Sequence, residues 1–339
     1  MLKKKWHIGI ISIVVFAMVG FFVMSGTADA WQPRKPVEIV IPAGQGGGAD
    51  VMGRFFATII QTKKIAKKPF IVVNKPGGSG AVGMQYLSSK KGNPHFMMIS
   101  LSNVITTPLH TKLGIKWSDL TPLARIALDR HCLCVNPKVH PDWKSVADVI
   151  KSIKAAPKGT YKMGGTGSKQ EDQIVMLLFE DKALGGVGWI TYVPFKGGGT
   201  VAANVVGGHI DFSVNNPSEF LPHSRANRLE VLAMFDNERL PGLHKMDDNS
   251  PQPPTVKEQG YDVVYEMLRG MFGPPKMKQD EIAYYTGVLK QIEESKEWVR
   301  YTSDQFLQRA YLPSGPALTK WLTDYEALHA RLLKAAGLM

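Results

Sequence analysis

The sequence predicts an α/β fold with mostly parallel sheets, and three observations support this prediction. Short β-branched and aromatic runs alternate with stretches of helical period. Four glycine-rich loops come directly after such runs, and most lead into a predicted helix. The 339 residues are also enough for two domains of ordinary size. Ligands of parallel α/β sheets bind at the carboxyl ends of the strands, so these loops are candidates for the site.

The first 30 residues have the pattern of a secretory signal peptide. Lysines at positions 3–5 precede an apolar run over residues 8–24, and Ala-Asp-Ala at residues 28–30 has the A-x-A form of a cleavage site. An uncleaved N-terminal anchor is the alternative, because the apolar run is slightly long for a signal and slightly short for a spanning helix. We therefore expect an exported protein whose folded part starts at residue 31.

The first glycine-rich loop joins a predicted strand at residues 37–41 to a predicted helix. Its glycines let the backbone turn and expose its N–H groups, and Asp50 is predicted to be the helix N-cap. Amides at a helix N-terminus bind phosphate or carboxylate. Phosphate has weak support, because no P-loop pattern occurs and only an Ala-ended dinucleotide pattern fits residues 44–49. A turn without a ligand is the alternative.

Three further glycine-rich loops, at residues 74–80, 164–170 and 195–200, follow predicted strands at 70–73, 161–163 and 190–194. Polar side chains near predicted strand ends could donate hydrogen bonds to a ligand, with loop capping as the alternative. They are Ser100, Ser102, Asn103, Thr166, Ser168, Asn215 and Asn216.

Other segments complete the predicted order of elements. Ser145 and Asp148 are placed as a capping box for a helix at residues 145–155. A strand at residues 229–235 is predicted to be the crossing back to the first domain, and residues 267–275 form a later strand. The chain beyond residue 279 is predicted to be helical, with an apolar stripe that belongs to the core.

Composition excludes several classes of function. The formal net charge is +12, but lysine and arginine are spread along the chain without interleaved aromatic residues, so we expect no nucleic-acid partner. An anionic small ligand or an anionic membrane surface fits this charge better. Cys132 and Cys134 lie two apart in a predicted strand and are expected to be free thiols without a metal. No nucleophile elbow or zinc-protease motif occurs, although a dispersed Ser-His-Asp set stays open.

Several segments, taken together, resemble the substrate-binding proteins of tripartite tricarboxylate transporters. They are KPV at 35–37, IPA at 41–43, GGGAD at 46–50, VNKPGGSG at 73–80, VPFKGGG at 193–199, GGHID at 207–211 and PTVKE at 254–258. The resemblance extends over nearly all of the chain after residue 30. Two segments depart from the family pattern, at residues 168–173 and 268–270, and both border the expected cleft.

The resemblance implies a two-domain periplasmic binding protein of type II-like fold. Each domain would be a mostly parallel or mixed sheet flanked by helices, with the ligand in the cleft between them. After a signal peptide at residues 1–30, the domains would be 31–131 with 237–339, and 132–236. The protein would bind a di- or tricarboxylate, aromatic acids included, as a periplasmic monomer without a cofactor or enzymatic activity, and deliver it to integral membrane transporter subunits. An exported α/β enzyme and a receptor that serves a sensor kinase are the alternatives.

The resemblance also implies where the site lies. Backbone amides of Ala43, Gly44, Gln45, Gly46 and Gly47 would hold one ligand carboxylate, and Lys196, Gly197, Gly198 and Gly199 would face them across the cleft. The ligand's distal anionic group needs a cation, for which the candidates are Lys169, Lys196 and Arg269. Arg269 is favoured because a guanidinium fits a carboxylate in two-point contact.

Acidic residues near the site need a separate role. A carboxylate close to a bound carboxylate repels it, so Asp50 is expected to point away and to support its own helix and loop. Glu171 and Asp172 are expected to complement the dipole at the start of a helix. A solute that carries an amine is the alternative partner for one of them.

Overall fold

The computed structural model describes residues 31–240 and 252–339. The predicted signal peptide or anchor lies outside these residues. Within residues 31–240 and 252–339, no helix combines the length and the apolar character that a membrane crossing requires.

Strands and helices alternate along the described chain, as predicted. The strands are β1 (Val37–Ile41), β2 (Phe70–Asn74), β3 (Phe96–Ser100), β4 (Thr121–Asp129), β5 (Cys132–Val135), β6 (Lys162–Thr166), β7 (Thr191–Phe195), β8 (Phe212–Asn215), β9 (Glu230–Met234), β10 (Met267–Gly273) and β11 (Gln308–Pro313). The helices are α1 (Gly48–Thr62), α2 (Ala81–Ser88), α3 (Asn103–His110), α4 (Val146–Ala155), α5 (Glu171–Phe179), α6 (Gly198–Val206), α7 (Pro217–Arg225), α8 (Gln279–Glu293), α9 (Lys296–Asp304) and α10 (Pro316–Ala335).

The strands form two mixed sheets, in the orders β11-β4-β10-β3-β1-β2 and β7-β6-β8-β5-β9. In the first sheet β1 is parallel to β2 and β3, while β10 and β11 run antiparallel to their neighbours. In the second, β6 is parallel to β7 and β8, while β5 is antiparallel to β8 and β9. Each sheet therefore has a parallel part, and the glycine-rich loops follow the parallel strands.

Helix α1 is held firmly against the first sheet. Its predicted apolar face is buried, with Phe56 1% exposed, and the half-buried Phe55 ring stacks on Tyr301 of α9 at a centroid distance of 4.4 Å. A Cβ on Gly53 would lie 2.8 Å from Ile41 Cδ1, so glycine lets α1 approach β1 closely. Burial of each large side chain contributes about 1.5–3 kcal/mol, which fixes the position of the N-terminus of α1.

Two adjacent segments connect the sheets. The chain leaves the first sheet after Asp129 and enters the second at Cys132, and it returns between β9 and β10. The Phe235 N–H donates to the His131 carbonyl at 2.9 Å, so the two crossings are hydrogen-bonded to each other. A buried ion pair between Arg130 and Asp236, at 2.9 Å, also joins them.

Several predictions about single elements need correction. The segment at 229–235 contains β9, an edge strand of the second sheet paired with β5, and the return crossing begins after it. Residues 164–166, expected in a loop, complete β6 because they pair with residues 193–195 of β7. The C-terminal region is not entirely helical, since β11 pairs with β4. By contrast, the predicted Ser145 cap is confirmed, because its hydroxyl accepts from the Asp148 N–H.

Candidate functional site

A cavity of about 600 Å³ opens where the glycine-rich loops of the two sheets face each other. The first sheet contributes Ala43, Gly44, Gln45, Gly46, Gly47, Gly48, Ala49, Val51, Leu101, Asp129, Met267, Arg269 and Gln305. The second sheet contributes Thr166, Gln170, Glu171, Asp172, Lys196, Gly197, Gly198, Asn215, Asn216, Ser218 and Glu219. The lining is mainly backbone and polar side chains, as suits a small polar solute.

The loop between β1 and α1 forms one wall. Gly47 is the N-cap of α1, and Gly46 has a φ of +81°, which favours glycine. The loop is exposed from Gly44 to Gly48, so its backbone is accessible from the cavity. The N-terminal amides of α1 have no partner within the helix, and an anion placed there would satisfy them.

Asp50 supports this loop from behind, but it is not the helix N-cap that the sequence predicted. It lies in the first turn of α1, and its Oδ2 accepts from the Gly46 N–H at 2.9 Å. Asn74 Nδ2 donates to Oδ1 at 3.0 Å, and Arg54 donates to both carboxylate oxygens. The hydrogen bond from Arg54 is the main reason that the pKa of Asp50 falls to about 2. Asp50 therefore stays ionised and engaged with the protein.

Arg269 lies at the base of the same wall, in β10. Its guanidinium donates through Nε to Asp129 Oδ2 at 2.9 Å and through Nη2 to the same oxygen. The side chain also packs against the start of α1, because a Cβ on Gly48 would lie 2.8 Å from Nη2. Burial alone lowers the pKa of Arg269, but the charge of Asp129 raises it above its usual value. A permanent cation therefore lines the cavity beside free amides.

The opposite wall begins with Asp172, which has the fully buried His131 behind it. The Thr166 N–H donates to Asp172 Oδ2 at 2.6 Å, and His131 Nε2 lies 3.2 Å from Oδ1. Burial alone lowers the pKa of His131, but the hydrogen bond and charge of Asp172 outweigh it and raise the pKa. Asp172 thus ties the end of β6 to the crossing between the sheets.

Two glutamates complete this wall. Burial raises the pKa of Glu171 to about 7, and burial together with the nearby aspartates raises that of Glu219 to about 7. The Glu219 carboxylate covers the start of α6 so closely that a Cβ on Gly198 would overlap it. Lys196 is exposed at the edge of the cavity.

The structure brings together most of the predicted site residues. Those that line the cavity are Ala43, Gly44, Gln45, Gly46, Gly47, Thr166, Lys196, Gly197, Gly198, Asn215, Asn216 and Arg269. Ser100 and Gly199 do not line it, and neither do four further predicted residues, Ser102, Asn103, Ser168 and Lys169.

These four residues have local structural roles or point elsewhere. The buried Ser102 hydroxyl lies 2.6 Å from the Tyr325 hydroxyl. Asn103 accepts from the Ser100 hydroxyl at 2.9 Å and donates to the Ser79 carbonyl, which is the loop-capping alternative. Lys169 has a φ of +59° and its N–H donates to Gln173 Oε1, while Ser168 is exposed.

Sequence reasoning missed Asp129 and Glu219. Asp129 ends β4 and could have been found as another polar residue at a strand end. Glu219 lies in the first turn of α7, where an acidic residue is expected for the helix dipole alone, so no sequence pattern pointed to a role in the cavity.

The structure also shows the state of the two cysteines and whether the described residues form a metal-binding group. Cys132 and Cys134 are both buried and free, with their sulfur atoms 3.5 Å apart. In the described part of the chain, no group of three or more histidine, cysteine or acidic side chains is arranged to hold a metal ion.

A family model for the receptor of the tripartite tricarboxylate transporter family matches residues 57–338, well over half of the chain. The chain belongs to this family of receptors. Among curated relatives of this receptor, the protein BugT of Bordetella pertussis is 26% identical over 261 residues, which are 73% of this chain and 74% of BugT. The resemblance found in the sequence motifs is therefore confirmed.

Solved structures confirm the two-domain fold of the receptor. A TctC solute binding protein from Polaromonas aligns with a TM-score of 0.70 at 24% identity, covering 89% of this chain and 99% of that one. R. palustris Rpa4515, solved with adipate, aligns with a TM-score of 0.72 at 20% identity, covering 90% and 98%.

Proposed function

We propose that this receptor binds a small organic carboxylate in the cavity between its two sheets and presents it to membrane components of a tripartite tricarboxylate transporter. The observation that carries the proposal is the exposed backbone of residues 44–48 at the N-terminus of α1, beside the guanidinium of Arg269. Such a wall binds an anion through amides and a fixed cation. The adipate held by Rpa4515, a protein of the same fold, supports a carboxylate as the ligand class.

The strength of binding requires both sides of the cavity. A charge-assisted hydrogen bond contributes about 1.5–3 kcal/mol, whereas micromolar affinity corresponds to about 8 kcal/mol after the solute has lost its freedom of motion. The amides of one loop therefore do not suffice. Thr166, Lys196 and Asn215 on the second sheet supply further donors. In our proposal the lobes at 31–131 with 237–339, and at 132–236, close on the solute by movement at the crossing segments.

The proposed place of action is the periplasm. The lysine-rich and apolar start of the sequence supports export, and the family supports a role in uptake. We propose a monomer that binds without turnover and without a cofactor. The receptor would release the same molecule that it bound.

A thermal-shift screen tests the proposal. The protein from residue 31 onward is heated with malate, adipate, succinate, glutarate, citrate and amino acids, and with sugars and nucleotides for comparison. An acid at a hundredfold excess over its Kd stabilises the fold by about 2.7 kcal/mol, which raises the Tm by several degrees. Stabilisation by sugars or nucleotides and by no acid would overturn the proposal. Chromatography of the bound acid after long incubation should recover it unchanged, and conversion would show an enzyme.

A further inference from the structure

The cavity lining carries more carboxylates than the described residues pair with cations or hydrogen-bond donors. Asp129 is paired with Arg269, and Asp172 is in contact with His131 and accepts from the Thr166 N–H. The two remaining carboxylates that line the cavity belong to Glu171 and Glu219.

Neither of these glutamates has a full set of partners within the described chain. Glu171 is only 8% exposed, and its carboxylate meets no hydrogen-bond donor there other than its own backbone amide. Glu219 Oε2 is buried without any hydrogen-bond partner among the described residues. Buried polar atoms are nearly always hydrogen-bonded. The unpaired Glu219 oxygen, in the same cavity as a Glu171 carboxylate that only its own backbone amide contacts, indicates a donor that arrives with the solute.

The sign of the charge identifies this donor. A dicarboxylate would place its second negative group in a cavity that already holds two unpaired glutamates, and like charges at short range repel. Lys196 lies at the exposed edge and Arg269 is engaged by Asp129, so neither cation is positioned to neutralise both glutamates. An ammonium group is a compact cation whose three N–H donors are enough in number for both carboxylates.

We infer that the solute carries a protonated amine in addition to its carboxylate, and that Glu171 and Glu219 bind this amine. The solute class is thus a small amino-carboxylic acid. The inference rests on the proposed function, because the carboxylate end is assigned to the loop at residues 43–48. It gives the acidic residues at the start of α5 and α7 a role in specificity.

The ionisation of the two glutamates agrees with this arrangement. Burial raises the pKa of each to about 7, and the groups that face them are Asp129, Asp172, His131 and Arg269. Both aspartates raise these pKa values further, while His131 opposes the rise at both glutamates and Arg269 opposes it at Glu219. An ammonium group would favour the ionised glutamates. Amine binding should therefore strengthen as the pH rises from 6 to 8.

Matched solutes provide the test. Each pair keeps the number of methylene groups and exchanges one carboxylate for an ammonium: succinate and β-alanine, glutarate and 4-aminobutyrate, adipate and 5-aminopentanoate. Affinities are measured by calorimetry at pH 6 and pH 8. At pH 8 the amino acid of the best-binding pair should bind at least tenfold more tightly than its diacid, and its affinity should rise several-fold from pH 6 to pH 8.

Two variants assign the effect to the glutamates. Glu171→Gln and Glu219→Gln keep the size of the side chain, remove its charge and replace one acceptor oxygen by an N–H donor. Each should weaken binding of the amino acid at least tenfold at pH 8 and leave the affinity for the diacid unchanged or higher. Glu294→Gln is the control, because Glu294 follows α8 directly and forms an exposed ion pair with Lys290. It should change neither the affinity for the amino acid nor that for the diacid. Glu219 is the less buried of the two, so its variant keeps the test available if Glu171→Gln does not fold.

The outcomes separate the inference from the proposed function. Diacids that bind more tightly than their matched amino acids at pH 8, or glutamine variants that weaken both equally, would overturn the inference and leave the proposed function standing. If no amino acid, no diacid and no other acid binds to the protein, the proposed function itself is overturned.

Discussion

The Arg269 guanidinium is paired with the Asp129 carboxylate at the point where the chain leaves the first sheet for the second. Asp129 Oδ1 also accepts from Asn216 Nδ2 at 2.8 Å, and Asn216 is the N-cap of α7 beyond the second sheet. One carboxylate thus connects β10 with the opposite side of the cavity. The sequence predicts Arg269 as the partner of the solute's distal carboxylate, and Asp129 sets the position of this guanidinium before any solute arrives.

The contributions of Asp129 and Arg269 to the free energy of unfolding should be strongly coupled. The side chains are 9% and 2% exposed, so Asp129→Asn would leave a buried cation without its counterion and should lower the free energy of unfolding by about 3–5 kcal/mol. Arg269→Gln should have a similar cost, and the double variant should lose clearly less free energy of unfolding than the sum of the two single losses. Urea denaturation measures all three, with Arg331→Gln at an exposed ion pair as the control, expected within about 1 kcal/mol. Additive losses would show that the two side chains act independently.

Gly48 should matter for binding because of its neighbour. An added Cβ would lie 2.8 Å from Arg269 Nη2 and 3.0 Å from Nη1, and Asp129 restricts the retreat of that side chain. Gly48→Ala should therefore weaken the best-binding acid of the thermal-shift screen at least tenfold, as calorimetry would measure. Gly287→Ala, in α8 with nothing within 4 Å, is the matched control and should leave the affinity unchanged. If Gly48→Ala bound the acid as tightly as Gly287→Ala does, the Arg269 guanidinium would not be part of the binding site.

Ser102 should contribute to stability and not to binding. Its hydroxyl lies 2.6 Å from the Tyr325 hydroxyl, which lies 3.1 Å from that of Tyr265. Ser102→Ala should lower the free energy of unfolding by about 1 kcal/mol and leave the Kd of a bound acid unchanged. Thr166→Val alters a hydroxyl that does line the cavity, and it should weaken binding several-fold. A loss of affinity in Ser102→Ala would restore Ser102 to the site.

Asp50 should give the fold a defined dependence on acid. Its pKa is about 2 in the folded protein, below the ordinary value of 3.8, so its stabilising effect is complete above about pH 4 and is lost as the pH falls toward 2. Asp50→Asn should cost about 1 kcal/mol at pH 7, since the partly exposed Arg54 is screened by solvent, and less at pH 3. Denaturant titrations at pH 7, 4 and 3 measure the difference. Asp324→Asn, in an exposed pair with Lys320, should show little change, and a cost for Asp50→Asn that is independent of pH would contradict the assignment.

Local patterns in the sequence were sufficient for the fold class and for the loops of the cavity. Short strands, glycine-rich turns and helix starts are contiguous in the chain, so residue type alone indicates them. The glycine-rich loops were predicted in this way, whereas the choice of residues 43–47 and 196–199 as the site came from the family resemblance; of these, all but Gly199 line the cavity. The Ser145 cap was predicted for the same reason.

The tertiary structure decided the electrostatics of the site. Asp129 and Arg269 are 140 positions apart, and Glu219 reaches the start of α6 from the following helix, α7, so no local pattern shows that these groups meet. The orientation of Ser102, whose partner Tyr325 is 223 positions away, depends on packing in the same way. The sequence by itself determined where the backbone offers amides to an anion, because turn chemistry is local. Only the folded chain determined which charges are neutralised, because an ion pair depends on distance in space and on burial.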